Sequence, residues 1–139
     1  MIVAGFGCRK GVSVAQVKAA FDVALLQAAL DPGAVTRLAA PAHKRDEAAL
    51  TAFAGAMALP LVFVTASELA ATADHVLSAS ERVEEVLGVP SASEAAALAV
   101  AGPNARLLGP RVAVGAVTCA LAQIDLDDRD DEGRGEPME

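Results

Sequence analysis

The chain has no tryptophan and no tyrosine, and only four phenylalanines. Its core must therefore be aliphatic, with small residues filling much of it. Two cysteines without framework spacing exclude a disulfide scaffold and fit a reducing compartment. No uninterrupted apolar run approaches the length of a membrane span. The first residues lack a basic lead and a cleavage pattern, so no secretory signal is expected and a cytoplasmic location is the natural expectation. No cluster of His, Cys, Asp or Glu has zinc-ligand spacing, so no dedicated metal site and no resident cofactor are expected.

What the chain does have is alanine, glycine turns and an uneven charge. Its 139 residues suit one domain, and the formal net charge is −7. Eight of the eighteen acids and two of the eleven bases lie in 125–139, leaving ten acids and nine bases in 1–124. The acidity thus belongs to the tail, 125–139, which has few apolar residues and is expected to be disordered. Residues 1–124 form the predicted domain, nearly neutral and able to carry a local basic patch for an anionic partner. Nothing in the pattern suggests nucleic acid.

The opening stretch organises the rest. Ile2 to Gly5 reads as a buried strand, followed by the turn Gly5-Phe6-Gly7-Cys8-Arg9-Lys10-Gly11. Ser13 and Gln16 then match a capping box for a helix reaching about Leu30. Its apolar face is Val14, Val17, Phe21, Ala24, Leu25 and Ala28, and Asp31-Pro32-Gly33 stops it. Strand, glycine turn, helix is an arrangement that presents backbone N–H groups to anions. A second strand is expected at Val35–Ala39, a polar turn at Pro41–Glu47, and a helix with Leu50, Phe53, Ala54 and Met57 on one face. Leu61–Val64 reads as a strand buried on both sides, with a brief helical turn at Ser67–Leu69. A helix is expected over Ser80–Leu87, capped by Gly88. Ser91 and Glu94 match another capping box before an alanine-rich helix to Ala101, and Val112–Ile124 reads as one long closing strand.

Alternating elements of this kind predict an α/β fold. The expected form is a three-layer α/β/α sandwich on a mostly parallel or mixed sheet of about five strands. Ligands then sit at the carboxyl ends of the strands. Three turns should meet at that edge: Gly7–Ser13, with Gly7, Cys8, Arg9, Lys10 and Ser13; Pro41–Glu47, with His43, Lys44 and Arg45; and Thr65–Ser67. Ser91 at the start of a later helix would add a hydroxyl and free N–H groups. Such cations around helix N-termini suit a ligand with several carboxylates or phosphates. The glycine spacing is one residue too long for a dinucleotide fingerprint, and no P-loop lysine follows.

Cys8 admits two readings. It is either a nucleophile whose thiolate Arg9 and Lys10 favour, with His43 as base, or a small residue fitting a tight turn. Glu94 is either a helix cap or a group facing the pocket. Cys119, within the last strand, reads as core, and His75 as surface.

Four segments together resemble one family. They are Gly5-Phe6-Gly7-Cys8-Arg9-Lys10-Gly11, Asp46-Glu47 after a basic turn, Gly88-Val89-Pro90-Ser91-Ala92-Ser93-Glu94-Ala95-Ala96-Ala97-Leu98, and Val117-Thr118-Cys119-Ala120-Leu121-Ala122. In order, over nearly all of 1–124, they are similar to the CobE/CbiG C-terminal domain family of cobalamin biosynthesis. The resemblance implies an α/β/α domain that holds or acts on a corrin-ring precursor. In longer CbiG-type proteins such a domain is joined to another, and together they open a ring lactone of a cobalt-precorrin and release acetaldehyde. The present chain looks like the stand-alone CobE-type form, for which the family offers no settled reaction. A Lys-x-x-Glu spacing usual in the family is kept by Lys44 and Glu47. The lysine usual before the last strand is replaced by Arg111, which keeps charge and changes shape.

The resemblance thus adds Glu47 and Arg111 to the ligand-binding candidates. It makes the ligand a corrinoid with about seven or eight carboxylate arms, which a cation-rimmed groove would match. Three functions follow as expectations: a corrinoid carrier or partner of other cobalamin-pathway enzymes, a hydrolase or C–C lyase on a precorrin using Cys8 or Glu94, and an assembly module for pathway enzymes.

Overall fold

The fold is seen in a computed structural model, which describes residues 1–72, 75–76 and 91–124. The expected helix at Ser80–Leu87, its Gly88 cap and the acidic tail lie outside the described residues.

Strand β1 (Ile2–Cys8) is central. It pairs in parallel with β2 (Val35–Pro41), which pairs in parallel with β3 (Leu61–Val64). On its other side β1 pairs antiparallel with β6 (Val117–Ile124). Two short strands, β4 (Ala105–Leu107) and β5 (Val112–Val114), both lie antiparallel along β6 and share its outer side. The sheet is therefore six-stranded and mixed, in the order β3-β2-β1-β6-β4 with β5 beside β6. Helices α1 (Val14–Ala28) and α2 (Ala48–Met57) cover one face. The brief α3 (Ala66–Ala70) and α4 (Ala92–Ala101) cover the other. The three-layer sandwich is as expected. No helix of the described residues is long and apolar enough to cross a membrane.

Alternation along β1 decides what each face can hold. Ala4, Phe6 and Cys8 point to α1 and α2; Val3, Gly5 and Gly7 point to α4. On the first face Phe6, Phe21 and Phe53 meet with ring centroids 5.2–6.3 Å apart, two of the three contacts edge-on. Each buried ring is worth about 2–3 kcal/mol, and each ring pair adds up to about 1.5 kcal/mol. Three of the four phenylalanines are thus spent on one cluster. The opposite face is built from Ala95, Ala96, Ala97, Ala101, Ala39 and Ala122, all essentially buried. Where Gly5 and Gly7 meet these alanines no larger side chain intervenes, and α4 lies directly against β1. A Cβ placed on Gly5 would come within 2.7 Å of the Ala97 nitrogen.

Two expectations fail for identifiable reasons. The long closing strand is a hairpin: β5 and β6 are joined by Gly115-Ala116, with Gly115 at φ 59°. A positive φ at the first turn position is what a two-residue hairpin asks of glycine. Strand β3 is not buried on both sides, because among the described residues it is the sheet edge and Val62 remains 37% exposed.

Candidate functional site

Because β1, β2 and β3 are parallel, their carboxyl ends share one edge. The Cys8–Ser13 loop follows β1 there, and a single 3-10 turn, Ala42–Lys44, follows β2. Helix α4 runs the opposite way to β1. Its first turn lies on Gly7, where a Cβ would sit 3.8 Å from the Ser93 nitrogen, and its middle lies on Gly5. The edge thus gathers two loops and one helix N-terminus, from parts of the chain about 80 residues apart.

The β1 loop is held from both sides. The Arg9 N–H donates to Ala116 O at 3.0 Å, tying it to the β5–β6 hairpin. The Gly11 N–H donates to both Glu47 carboxylate oxygens, at 3.0 and 3.2 Å. Gly11 makes that turn at φ 82°, a left-handed conformation that glycine adopts without strain. Arg9 and Lys10 are exposed between these anchors. Ser13 forms the expected capping box, with its hydroxyl accepting from the Gln16 N–H and its own N–H donating to Gln16 Oε1. That hydroxyl is therefore engaged by the helix.

Lys44 is half-buried and His43 exposed on the second loop. Partial desolvation first, then the Lys44 charge, pushes the His43 imidazole below its ordinary value. Arg45 turns away and covers the Phe63 ring of β3 at 5.7 Å. Cys8 lies close enough to feel both Lys44 and Glu47, but burial is the largest influence and the thiol is pushed up. The thiolate expected from neighbouring cations is thus disfavoured. The side chain packs with Phe6 on the α1–α2 face, and no hydrogen bond joins it to His43. Cys119 is buried, with its thiol raised strongly by desolvation, as expected for a core residue. His75 is exposed.

The start of α4 departs from expectation. Ser91 is the N-cap, but its side chain makes no capping bond, and the predicted box with Glu94 is absent. Glu94 is fully buried and instead accepts the Arg111 N–H through Oε2 at 2.8 Å. It thereby links α4 to the residue preceding β5. The hydroxyls of Ser91 and Ser93 are buried with no hydrogen-bond partner among the described residues. Each such group costs about 1–3 kcal/mol. Sequence reasoning missed Ser93; the signal was a second serine within the first turn of an alanine-rich helix.

Among the described residues no group of three or more His, Cys, Asp or Glu could hold a metal. A shallow depression of about 220 Å³ lies elsewhere, between Ala24–Ala28 of α1 and the β4–β5 connection, and no charged residue lines it.

Comparison with known proteins agrees with this architecture. Residues 2–122 match the family model described as cobalamin synthesis G C-terminus. Protein CobE of Sinorhizobium sp. is 32% identical over 121 residues, covering 87% of this chain and 79% of that protein. A crystal structure of CobE, from the cobalamin (vitamin B12) biosynthetic pathway, superposes with a TM-score of 0.84 at 32% identity, over 88% of this chain and 89% of that one. Cobalamin biosynthesis protein chiG from Agrobacterium tumefaciens str. C58 gives a TM-score of 0.73 at 39% identity, over 90% and 99%. A cobalamin biosynthesis protein G homolog from Sulfolobus solfataricus shares the fold, with a TM-score of 0.65 at 18% identity over 37% of its length. With the family match spanning the whole sheet and the CobE likeness covering most of both chains, the chain belongs to the CbiG C-terminal domain family and is a CobE-like protein of cobalamin biosynthesis.

Proposed function

We propose that this protein binds a corrinoid intermediate at the carboxyl edge of its sheet, as a carrier or as the partner of a pathway enzyme. The observation that carries this is the meeting of the Arg9–Lys10 loop and the Lys44 loop, latched together by Glu47 on the Gly11 N–H. Cations held on a braced loop suit a flat ligand bearing many carboxylates. Arg111 stands one residue before β5, and its backbone N–H is the donor that Glu94 accepts.

Titrating the protein with hydrogenobyrinic acid tests the reading. A shift of the corrin absorption band and measurable heat are expected, both weakened in Arg9→Ala/Lys44→Ala. An unchanged spectrum with no heat overturns it.

One observation favours a hydrolytic alternative: Glu94 is a wholly buried carboxylate at the same edge. If the protein opens a lactone or cleaves a C–C bond of a precorrin, Glu94→Gln abolishes turnover. Retained turnover in that variant and in Cys8→Ala removes both residues from any such chemistry.

A further inference from the structure

We propose that the first turn of α4 is a cradle for one carboxylate arm of the corrinoid, received by the Ser91 and Ser93 hydroxyls and the free N–H groups beside them. This rests on the corrinoid-binding reading above and assigns it an anchoring point distinct from the cationic rim.

Three independent observations meet there. The first is the helix end itself. Helix α4 has ten residues, and the Ala92 and Ser93 N–H groups have no acceptor among the described residues. They point out of the positive end of the helix dipole. The second is the pair of hydroxyls. Ser91 and Ser93 are 0% and 1% exposed, and neither Oγ has a partner among the described residues. A serine N-cap normally spends its oxygen on the N–H groups of its own first turn; here Ser91 does not. The third is Gly7. Its missing side chain lets the turn come down onto β1, since a Cβ would lie 3.8 Å from the Ser93 nitrogen and 3.9 Å from the Ala92 Cβ. An alanine there would also press on Thr118 Oγ1 at 2.8 Å.

The chemistry follows from the inventory. Two hydroxyls and two N–H groups are donors in want of an oxygen, and a helix N-terminus favours a negatively charged one. The nearby negative charge, Glu94, has Oε2 directed to the Arg111 N–H rather than to its own helix end. The turn sits at the end of β1 beside Gly7, so the tip of one side arm is received there while the macrocycle stays outside. Arg9, Lys10 and Lys44 then serve the remaining arms from the other side of the edge.

The test combines affinity with the stability of the ligand-free protein. Hydrogenobyrinic acid is titrated into wild type, Ser93→Ala and Ser91→Ala/Ser93→Ala, and thermal midpoints are taken without ligand. The cradle predicts about a tenfold loss of affinity for each hydroxyl removed. It also predicts ligand-free midpoints equal to or above wild type, since a partnerless buried hydroxyl has been deleted. Unchanged affinity in the double variant overturns the cradle while leaving corrinoid binding intact. A ligand-free midpoint lowered by several degrees overturns it too, because the hydroxyls would then be serving the fold. Absence of binding by wild type overturns both readings together.

Discussion

Replacing Gly5 by alanine should disrupt this fold more than any other single-methyl change along β1. Gly5 has ordinary extended backbone, so its identity is set by space and not by conformation. A Cβ there would fall 2.7 Å from the Ala97 nitrogen and 2.9 Å from the Ala97 Cβ, and would overlap the Ser93 carbonyl oxygen. Two of those three atoms are backbone, so no rotamer change relieves the contact. Helix α4 as a whole has to lift from the sheet, loosening Ala96, Ala97 and Ala101, which are buried beneath it. Overpacking of this kind costs about 1–3 kcal/mol where side chains can yield, and here the upper value is the starting point. About 3 kcal/mol lowers the thermal midpoint of a domain this size by roughly 10 °C. Gly11→Ala is the control: it has open space around it and pays only for its left-handed φ, about 1–2 kcal/mol. Ala97→Gly added to Gly5→Ala should restore only a minor part, because it removes one of three clashes and leaves a glycine within the helix. Thermal and urea unfolding followed by circular dichroism measure all of these. A Gly5→Ala protein melting within 2 °C of wild type would refute the close contact between α4 and β1, and with it the placement of the Ser91 turn at the site.

Other outcomes follow from the same geometry. Glu47→Ala frees the Gly11 amide, which should exchange its hydrogen at least about tenfold faster, at a stability cost of about 1 kcal/mol. Glu47→Gln keeps an acceptor and should show less of both effects; unchanged exchange in the alanine variant would remove the latch. Burial raises the Cys8 and Cys119 thiols, so the folded protein holds their protons more tightly than the unfolded chain does. Stability should therefore be level below the ordinary thiol range and fall as pH rises through it, by up to about 1.4 kcal/mol per pH unit for each thiol. Cys119→Ala should flatten that alkaline decline, and urea midpoints between pH 7 and 10 check it. The His43 imidazole titrates below a free histidine, by burial and then by Lys44. In Lys44→Ala its NMR titration should move upward, and no movement would place Lys44 away from it.

The sequence announced most of this architecture through residues that act locally. Ser13 with Gln16, the Phe21 stripe and the apolar Leu61–Val64 run each settle their element within a few positions. The failures share a cause: each depends on a partner distant in the chain. Val112–Ile124 is apolar almost throughout, and only Gly115 signals that the chain folds back on itself. The edge position of β3 depends on which strands follow, which a four-residue pattern does not encode. Ser91-Ala92-Ser93-Glu94 has the letters of a capping box, but Glu94 is claimed by the Arg111 N–H, a tertiary bond that overrides a local one. The two basic loops were legible as converging, because parallel strands place their exits on one edge. The role of Glu47 in binding one loop to the other was visible only as a spacing from Lys44.

The two faces of β1 also explain why a site forms at its end. Phe6 faces α1 and α2 across a thick aromatic layer, while Gly5 and Gly7 face α4 across almost none. A helix held off by large side chains would place its N-terminus several ångströms above the sheet edge, out of reach of the loops. Held at alanine distance, the Ser91 turn comes down to the level of Gly7, beside the residues that exit β1. Antiparallel β6 then closes the other flank, because its hairpin turn supplies the Ala116 carbonyl that the Arg9 N–H needs. Scarcity of large side chains on one face is thus the condition that brings a helix dipole and two cationic loops to one rim. A variant enlarging that face, Ala96→Leu, should lose corrinoid affinity even where Arg9, Lys44 and both serines are intact. If its affinity matched wild type while the helix remained folded, the distance of α4 from the sheet would have no bearing on binding.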